Sequence, residues 1–133
     1  MTRLTGLYIH PSWDDAPNLV GIPNDLTAFQ MLVGGYIETV EPVIMKGHNV
    51  VMLVNEEGRL QGLPINKNAT YCFSGLKSQF LRKDDPRVIL GPAIIIGVAG
   101  DEFASLTGSE IETLKLRLSE VCDEEITDWR WKG

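Results

Sequence analysis

Few side chains in this sequence have the types and spacing that metal chemistry requires. The chain has two histidines, His10 and His48, and two isolated cysteines, Cys72 and Cys122, which form no CxxC pair. A zinc site needs three or four converging nitrogen, sulfur or oxygen ligands. We therefore predict no metal centre, and we expect both cysteines to be reduced thiols in a cytoplasmic protein.

Catalytic signatures are also missing. A serine or cysteine nucleophile needs a base and an orienting group, and the sequence has no GxSxG elbow. Four adjacent acid pairs, Asp14–Asp15, Glu56–Glu57, Asp84–Asp85 and Asp101–Glu102, fall in predicted loops. Adjacent acids usually point apart into solvent, whereas glycoside hydrolysis needs two carboxylates that face each other across a sugar. The sequence predicts no catalytic residue and no cofactor, and it favours a protein that is not an enzyme.

Two short segments have the composition of a ligand-binding loop. Glycines allow backbone N–H groups to approach a ligand, and a tyrosine can stack on a base. A pocket for a nucleotide-like small molecule would be lined by Gly34, Gly35, Tyr36, Asn66, Lys67, Asn68 and Thr70. The same glycines can instead end a helix, and the same asparagines can bond their own backbone in a turn. Both interpretations stay open, and the sequence favours the helix end and the turn.

The aromatic residues near the C terminus predict a surface for a protein partner. Trp129 and Trp131 flank Arg130, and these residue types are enriched in binding hot spots. Binders of single-stranded nucleic acid combine aromatics with a basic groove. This chain has a net charge of -6 and one locally basic stretch, KSQFLRK. Because nucleic-acid binding needs clustered Lys and Arg to displace counterions, we expect no nucleic-acid partner.

Composition predicts one soluble domain at 1–133. Hydrophobic residues make up 44% of the chain and charged residues 23%, as in ordinary globular proteins. The longest apolar run, VILGPAIIIGVAG, is interrupted by glycine and proline and is too short to span a bilayer. The N terminus lacks the apolar core of a signal peptide. These features predict a cytoplasmic protein with no membrane association.

The first half of the chain has the patterns of strands around one helix. A strand is predicted at 4–10 and a proline-rich loop at 11–23. A helix should begin after Asn24 or Asp25, which can cap it, and end at Gly34–Gly35. Alternation then predicts a strand at 36–44, placed at a sheet edge because proline cannot donate to a ladder.

The middle of the chain predicts a hairpin. The apolar run at 48–55 indicates a strand covered on both faces. NEEG, residues 55–58, is a turn sequence. The segment RLQGLPINKNAT should return as a short strand and continue as a polar loop, which makes a β-hairpin.

The second half predicts a strand and a C-terminal helix. Apolar residues at helical spacing within 73–81 suit a short helix, which Gly75 weakens. A buried strand follows at 88–98, bent at Gly91–Pro92. The capping box of Thr107 and Glu110 starts the last helix. The whole pattern predicts an α+β fold in a single domain, with a mainly antiparallel sheet and two or three helices packed on one side.

Four segments in this order resemble the family called domain of unknown function 3846. They are LVGGYIETV, VMLVNEEGRLQGLPINKNAT, VILGPAIIIG and LTGSEIETL, and the resemblance covers residues 25–116. The N-terminal strand and loop, 1–24, and the tail, 123–133, lie outside it. The resemblance implies an accessory protein of a bacteriophage, plasmid or other mobile element in the host cytoplasm. It implies no reaction and no catalytic residue.

Two hypotheses from different classes follow. In the first, the chain is a non-enzymatic protein that binds a host or phage protein, for counter-defence or host takeover. In the second, it is a sponge that sequesters a nucleotide-like signal in the glycine and asparagine pocket, at the interface of a homodimer. A small enzyme of unassigned reaction ranks third.

Overall fold

Seven strands and three helices make up the structure, a computed structural model that describes residues 3–12, 16–77, 80–121 and 131–132. The strands are β1 (Arg3–Ile9), β2 (Asn18–Pro23), β3 (Ile37–Val40), β4 (Val50–Asn55), β5 (Ala93–Ala99), β6 (Glu102–Ala104) and β7 (Trp131–Lys132). The helices are α1 (Leu26–Val33), α2 (Lys67–Ser74) and α3 (Gly108–Leu118), and a short 3-10 helix spans Val43–Met45.

The strands form one sheet in the order β3-β4-β5-β1-β2-β7, and β6 pairs with the second half of β5. Every pairing is antiparallel except that of β2 with β7. β5 lies at the centre, with β4 on one side and both β1 and β6 on the other. It pairs with β1 at Ala93–Ile95 and with β6 at Gly97–Ala99. β3 lies at one edge and has a described neighbour on one side, β4. The α+β class with a mainly antiparallel sheet is confirmed.

The helices lie on both faces of the sheet, so the prediction that they pack on one side is wrong. On one face, Phe29 and Val33 of α1 pack with Leu53, Ile94 and Ile96. On the other face, α2 and α3 pack with side chains that include Met52 and Ile95. β4 and β5 are apolar at nearly every position. Because successive side chains point to opposite faces of the sheet, both faces are apolar and helices must cover both.

α1 begins and ends where the sequence predicts. The Asp25 carboxylate accepts a hydrogen bond from the Ala28 N–H at 2.7 Å, which satisfies one of the free donors of the first turn. Gly34 ends the helix with a φ of 83°, a left-handed conformation that favours glycine. Its N–H donates to the Gln30 carbonyl at 2.9 Å. The glycine pair is therefore the joint between α1 and β3.

The segment predicted as a loop at 11–23 contains strand β2. Six residues, from Asn18 to Pro23, pair with β1 in antiparallel register. The prolines of this segment favour a loop, but Pro17 lies just before the strand and Pro23 is its last residue. At those positions a missing N–H costs little.

The predicted hairpin after β4 does not form. Residues 56–62 are turns, and Ile65 makes an isolated bridge with Leu90 instead of continuing a strand. The polar segment that follows is the start of α2, with Asn66 as N-cap. α2 ends at Gly75, so the helix lies earlier than the predicted 73–81. The local cap of Asn66 outweighs the strand-like alternation before it.

The later elements follow the sequence closely. Gly91 adopts a φ of 87° and bends the chain as predicted, but the strand begins after the bend, at Ala93, and not at residue 88. The Thr107 hydroxyl accepts from the Glu110 N–H at 3.2 Å, and the Glu110 carboxylate accepts from the Thr107 N–H at 2.9 Å. This is the predicted capping box, and α3 packs through Leu114 and Leu118.

A polar contact joins α2 to the end of α3. The Tyr71 hydroxyl donates to the Glu120 carboxylate at 3.0 Å, and Lys77 Nζ lies 3.3 Å from the same carboxylate. These two contacts lower the pKa of Glu120, the Tyr71 bond being the larger cause. Burial, and then the same bond, raise the pKa of Tyr71.

Changing Tyr71 to Phe should lower the melting temperature by a few degrees near neutral pH. The lowered pKa of Glu120 stabilises the fold above the ordinary carboxyl pKa, and this contribution is lost as the pH falls through the lowered value. The raised pKa of Tyr71 stabilises the fold below the ordinary value of 10.0, and this is lost as the pH rises through the raised value. Melting curves of both proteins across pH check this. The difference in melting temperature between the two proteins should become smaller in acid and in strong base. A difference that stays the same would contradict this prediction.

Candidate functional site

Gly34, Gly35 and Tyr36 lie together at the point where α1 passes into β3. A Cβ atom on Gly35 would lie 3.0 Å from Nδ2 of Asn55, so the second glycine makes room for that side chain. Tyr36 is 65% exposed, and its carbonyl accepts from the Glu56 N–H at 2.9 Å. Of the three, Tyr36 alone presents a large side chain to solvent.

Asn66 and Thr70 are buried, and their polar atoms bond within the protein. Asn66 Nδ2 donates to the carbonyls of Ile9 and Gly91, each at 2.9 Å. The Thr70 hydroxyl donates to the Asn66 carbonyl at 2.7 Å and accepts from the Ile89 N–H at 2.9 Å. Both side chains are fully buried. Their hydrogen-bonding capacity is used by the fold.

The described contacts place the seven predicted pocket residues in two groups. Lys67 and Asn68 are half-buried on the first turn of α2. The glycine pair contacts Asn55, whereas Asn66 contacts the end of β1 and the residue before Pro92. Among the predicted tryptophans, Trp129 lies outside the described residues, and Trp131 is described as part of β7, paired with Leu19.

The described residues contain no metal site. Within 3–12, 16–77, 80–121 and 131–132, no three His, Cys, Asp or Glu side chains could together hold an ion. Cys72 is buried in the core. In the same part of the chain, no helix has the length and apolarity needed to cross a membrane.

A cleft opens beside β3, on the face that α2 and α3 cover elsewhere. We call it the β3 cleft, and it encloses about 130 Å³. Its walls come from β3, the end of β4, the turn at 56–60, Phe73 of α2 and the segment 86–90. Pockets that hold small molecules usually enclose roughly 300–1,000 Å³. The β3 cleft is therefore smaller than such pockets, and its size suits one side chain better than a nucleotide.

The cleft combines an apolar floor with an acidic rim. Its apolar lining includes Val54 and Ile89, which belong to the core on that face, and Val40 and Phe73, which are partly buried and pack against it. Three glutamates line it as well, Glu38, Glu56 and Glu57, each of them exposed. No described hydrogen bond or ion pair involves their carboxylates, so all three can receive a donor from another molecule.

The opposite wall of the cleft is held in place by arginines. Nη2 of Arg59 donates to the carbonyls of Asp85 and Val88, at 2.7 and 2.8 Å. Arg87 donates to the Asp85 carboxylate at 2.8 Å, and this bond holds the pKa of Asp85 at about 2. These contacts fix the segment 85–88 against the turn, so the cleft has a defined shape without a ligand.

Asn55 organises the turn at the cleft and was not predicted from the sequence. It is 6% exposed, and its Oδ1 accepts from the Glu57 N–H at 2.8 Å. Its Nδ2 donates to the Val33 carbonyl at 3.1 Å, which ties the turn to the end of α1. The signal was present in NEEG, because asparagine commonly bonds the N–H two residues on.

The outer edge of β3 has free backbone groups beside the cleft. The Tyr36 carbonyl pairs with the Glu56 N–H, and paired positions alternate along an antiparallel ladder. Glu38 and Val40 are therefore the next bonded positions, and the N–H and C=O groups of Ile37 and Thr39 point outward. Among the described residues, no strand pairs with that edge.

The comparisons with known proteins identify a family. A model of the family described as domain of unknown function (DUF3846) matches residues 4–119. This range contains the resemblance at 25–116 and adds β1 and β2. No curated protein and no solved structure matches the chain.

Proposed function

The chain belongs to the family of domain of unknown function 3846, and we propose that it is a small non-enzymatic binding protein of a phage or mobile element. It acts in the host cytoplasm by binding a host or phage protein, for counter-defence or host takeover. The partner contributes a strand to the outer edge of β3. Such strand addition is a common mode of protein recognition, in which backbone hydrogen bonds give affinity and side-chain pockets give specificity.

The observation that supports this proposal is the open edge of β3 next to an apolar cleft. Proteins usually cover or blunt such an edge, because free N–H and C=O groups attract other strands. Here Glu38 lies on the edge strand, and Glu41 and Pro42 follow its last residue, Val40. These residues disfavour pairing with most other strands, and the two negative charges favour a partner strand that carries positive charge.

The sponge hypothesis has less support from the geometry. The β3 cleft is smaller than a nucleotide pocket, and Asn66 and Thr70 are buried in internal hydrogen bonds. A ligand that binds only the folded state raises the melting temperature. A nucleotide panel that shifts the melting temperature strongly would favour the sponge, and a panel compound that is chemically altered would favour an enzyme.

The function is tested by capture and reconstitution. The immobilised protein is incubated with a lysate of the host cell, and the proteins it retains are identified and purified. We expect one of them to form a stoichiometric complex with the purified chain, and the nucleotide panel to cause no shift and to remain unaltered. Failure of every retained protein to bind in purified form would overturn the proposal.

A further inference from the structure

We propose that the β3 cleft receives a lysine or arginine side chain of the partner, carried on an extended segment that pairs with the outer edge of β3. This inference rests on the proposed function and adds the chemistry of the partner segment. The ligand class is an extended peptide with one basic residue among uncharged neighbours.

The geometry of strand addition places a partner side chain at the cleft. A strand that bonds to Ile37 and Thr39 lies about 4.8 Å beyond β3 and continues the same sheet. Side chains directly opposite each other on adjacent strands have their Cβ atoms about 4.5–5.5 Å apart. The residue opposite Glu38 therefore projects from the face that carries Val40 and the cleft.

The lining of the cleft matches a long basic side chain. Lysine and arginine lay their aliphatic stems on apolar surface while the charged end stays near water. The floor of Val40, Val54 and Ile89 suits the stem, and the exposed carboxylates of Glu56 and Glu57 suit the charged end. The lining contains three glutamates and one arginine, so its charged side chains are mainly acidic.

The lining arginine does not compete for those carboxylates. Arg59 directs its donors to the carbonyls of Asp85 and Val88 on the far wall. The three carboxylates are therefore available to a partner. An acidic residue in the same position of the partner would face like charges, which destabilise directly opposed pairs.

A second copy of this chain is a poorer occupant of the same edge. Pairing β3 with another β3 would bring Glu38 and Glu41 of one copy close to the same residues of the other. Neither β3 nor the residues 36 and 41 beside it contribute a basic side chain. The like charges oppose a homodimer through this edge.

The test is selection from a displayed library of random heptapeptides on the immobilised protein. We expect the enriched peptides to share one lysine or arginine flanked by β-branched residues. Titration of an enriched peptide into the labelled protein should move the amide signals of Ile37, Thr39 and residues 56–60. The double variant E38Q/E57Q removes two rim charges and keeps the shape of both side chains. It should raise the dissociation constant of that peptide about tenfold or more.

A matched control distinguishes the rim from general charge. Glu112 lies on α3, is 75% exposed in its side chain and is not part of the cleft lining, so E112Q should bind the peptide like the wild type. Enriched peptides without a basic residue, no enriched peptide at all, or equal binding by E38Q/E57Q would overturn the inference. If a purified partner binds the wild type and E38Q/E57Q equally well, the cleft assignment fails and the proposed function stands. Self-association of the free protein that E38Q/E57Q strengthens would identify a second copy as the occupant and overturn the inference.

Discussion

Changing Asn66 to alanine is expected to lower the free energy of unfolding by about 3–5 kcal/mol. Asn66 is fully buried, and its amide donates to the carbonyls of Ile9 and Gly91. Its Oδ1 accepts from the Ala69 N–H at 3.0 Å and caps α2. Alanine removes all three bonds; the Ile9 carbonyl keeps its place in the ladder between β1 and β5, whereas a buried group that is left unsatisfied costs about 1–3 kcal/mol.

The effect is large because one side chain joins three segments. Ile9 ends β1, Gly91 lies at the bend before β5, and Ala69 lies in the first turn of α2. Asp25 offers a matched control, because it also caps a helix through one hydrogen bond but is exposed. D25A should cost about 1 kcal/mol.

Urea unfolding of wild type, N66A and D25A measures the difference. N66D adds a second comparison, because an aspartate can still cap α2 but cannot donate to the two carbonyls. It should therefore be nearly as destabilised as N66A. A cost for N66A no greater than that of D25A would show that the two carbonyls find other donors, and the account of α2 would be wrong.

The second large effect is expected at Gly97, where alanine should cost about 3 kcal/mol. A Cβ atom at this position would lie 2.7 Å from the Ser105 carbonyl oxygen and 2.9 Å from that of Ala104. Both are backbone atoms, so relief requires β6 to move away from β5. That movement also strains the bond from the Leu106 N–H to the Thr5 carbonyl.

Gly108 provides the control for Gly97. It is the first residue of α3, and an added Cβ there meets nothing within 4 Å. G108A should be neutral or stabilising by about 0.5–1 kcal/mol, because alanine restricts the unfolded chain. Denaturation midpoints of the two variants give the comparison. Equal stability of G97A and wild type would contradict the close approach of β5 and β6.

The elements that depend on local signals were predictable. Asp25 and Gly34 mark the ends of α1, and Thr107 with Glu110 marks the start of α3. Each of these signals acts within a few residues of the chain. The long apolar runs of β4 and β5 also identified the central strands, because burial on both faces leaves no alternation.

The errors arose where distant residues decide the structure. β2 forms because β1 offers a partner, although its own sequence carries prolines at both ends. Asn66 becomes a buried cap because the carbonyls of Ile9 and Gly91 surround it, and these lie 57 and 25 positions away. The apolar residues of β4 and β5 indicated burial but not which helix covers which face.

The candidate site was only partly predictable for the same reason. Tyr36 was identified, and it precedes the edge strand beside the cleft. The cleft itself combines Glu38, the turn at 56–60 and the segment 86–90, which are far apart in sequence. The pair Glu56–Glu57 was expected on a solvated loop, and it is exposed. Its relation to the edge of β3 appears only in the fold.

The most direct test of the account is the calorimetric affinity of a purified partner for the T39P variant. The N–H of Thr39 points away from β4, so proline removes a donor of the outer edge and keeps the ladder inside the sheet. L26P is the control, since proline suits the first position of a helix and α1 lies on the opposite face. If the partner pairs with the edge of β3, T39P loses at least about tenfold in affinity, or 1.4 kcal/mol, while L26P binds normally. Equal affinity of a folded T39P and the wild type would show that the partner does not bind at the edge of β3.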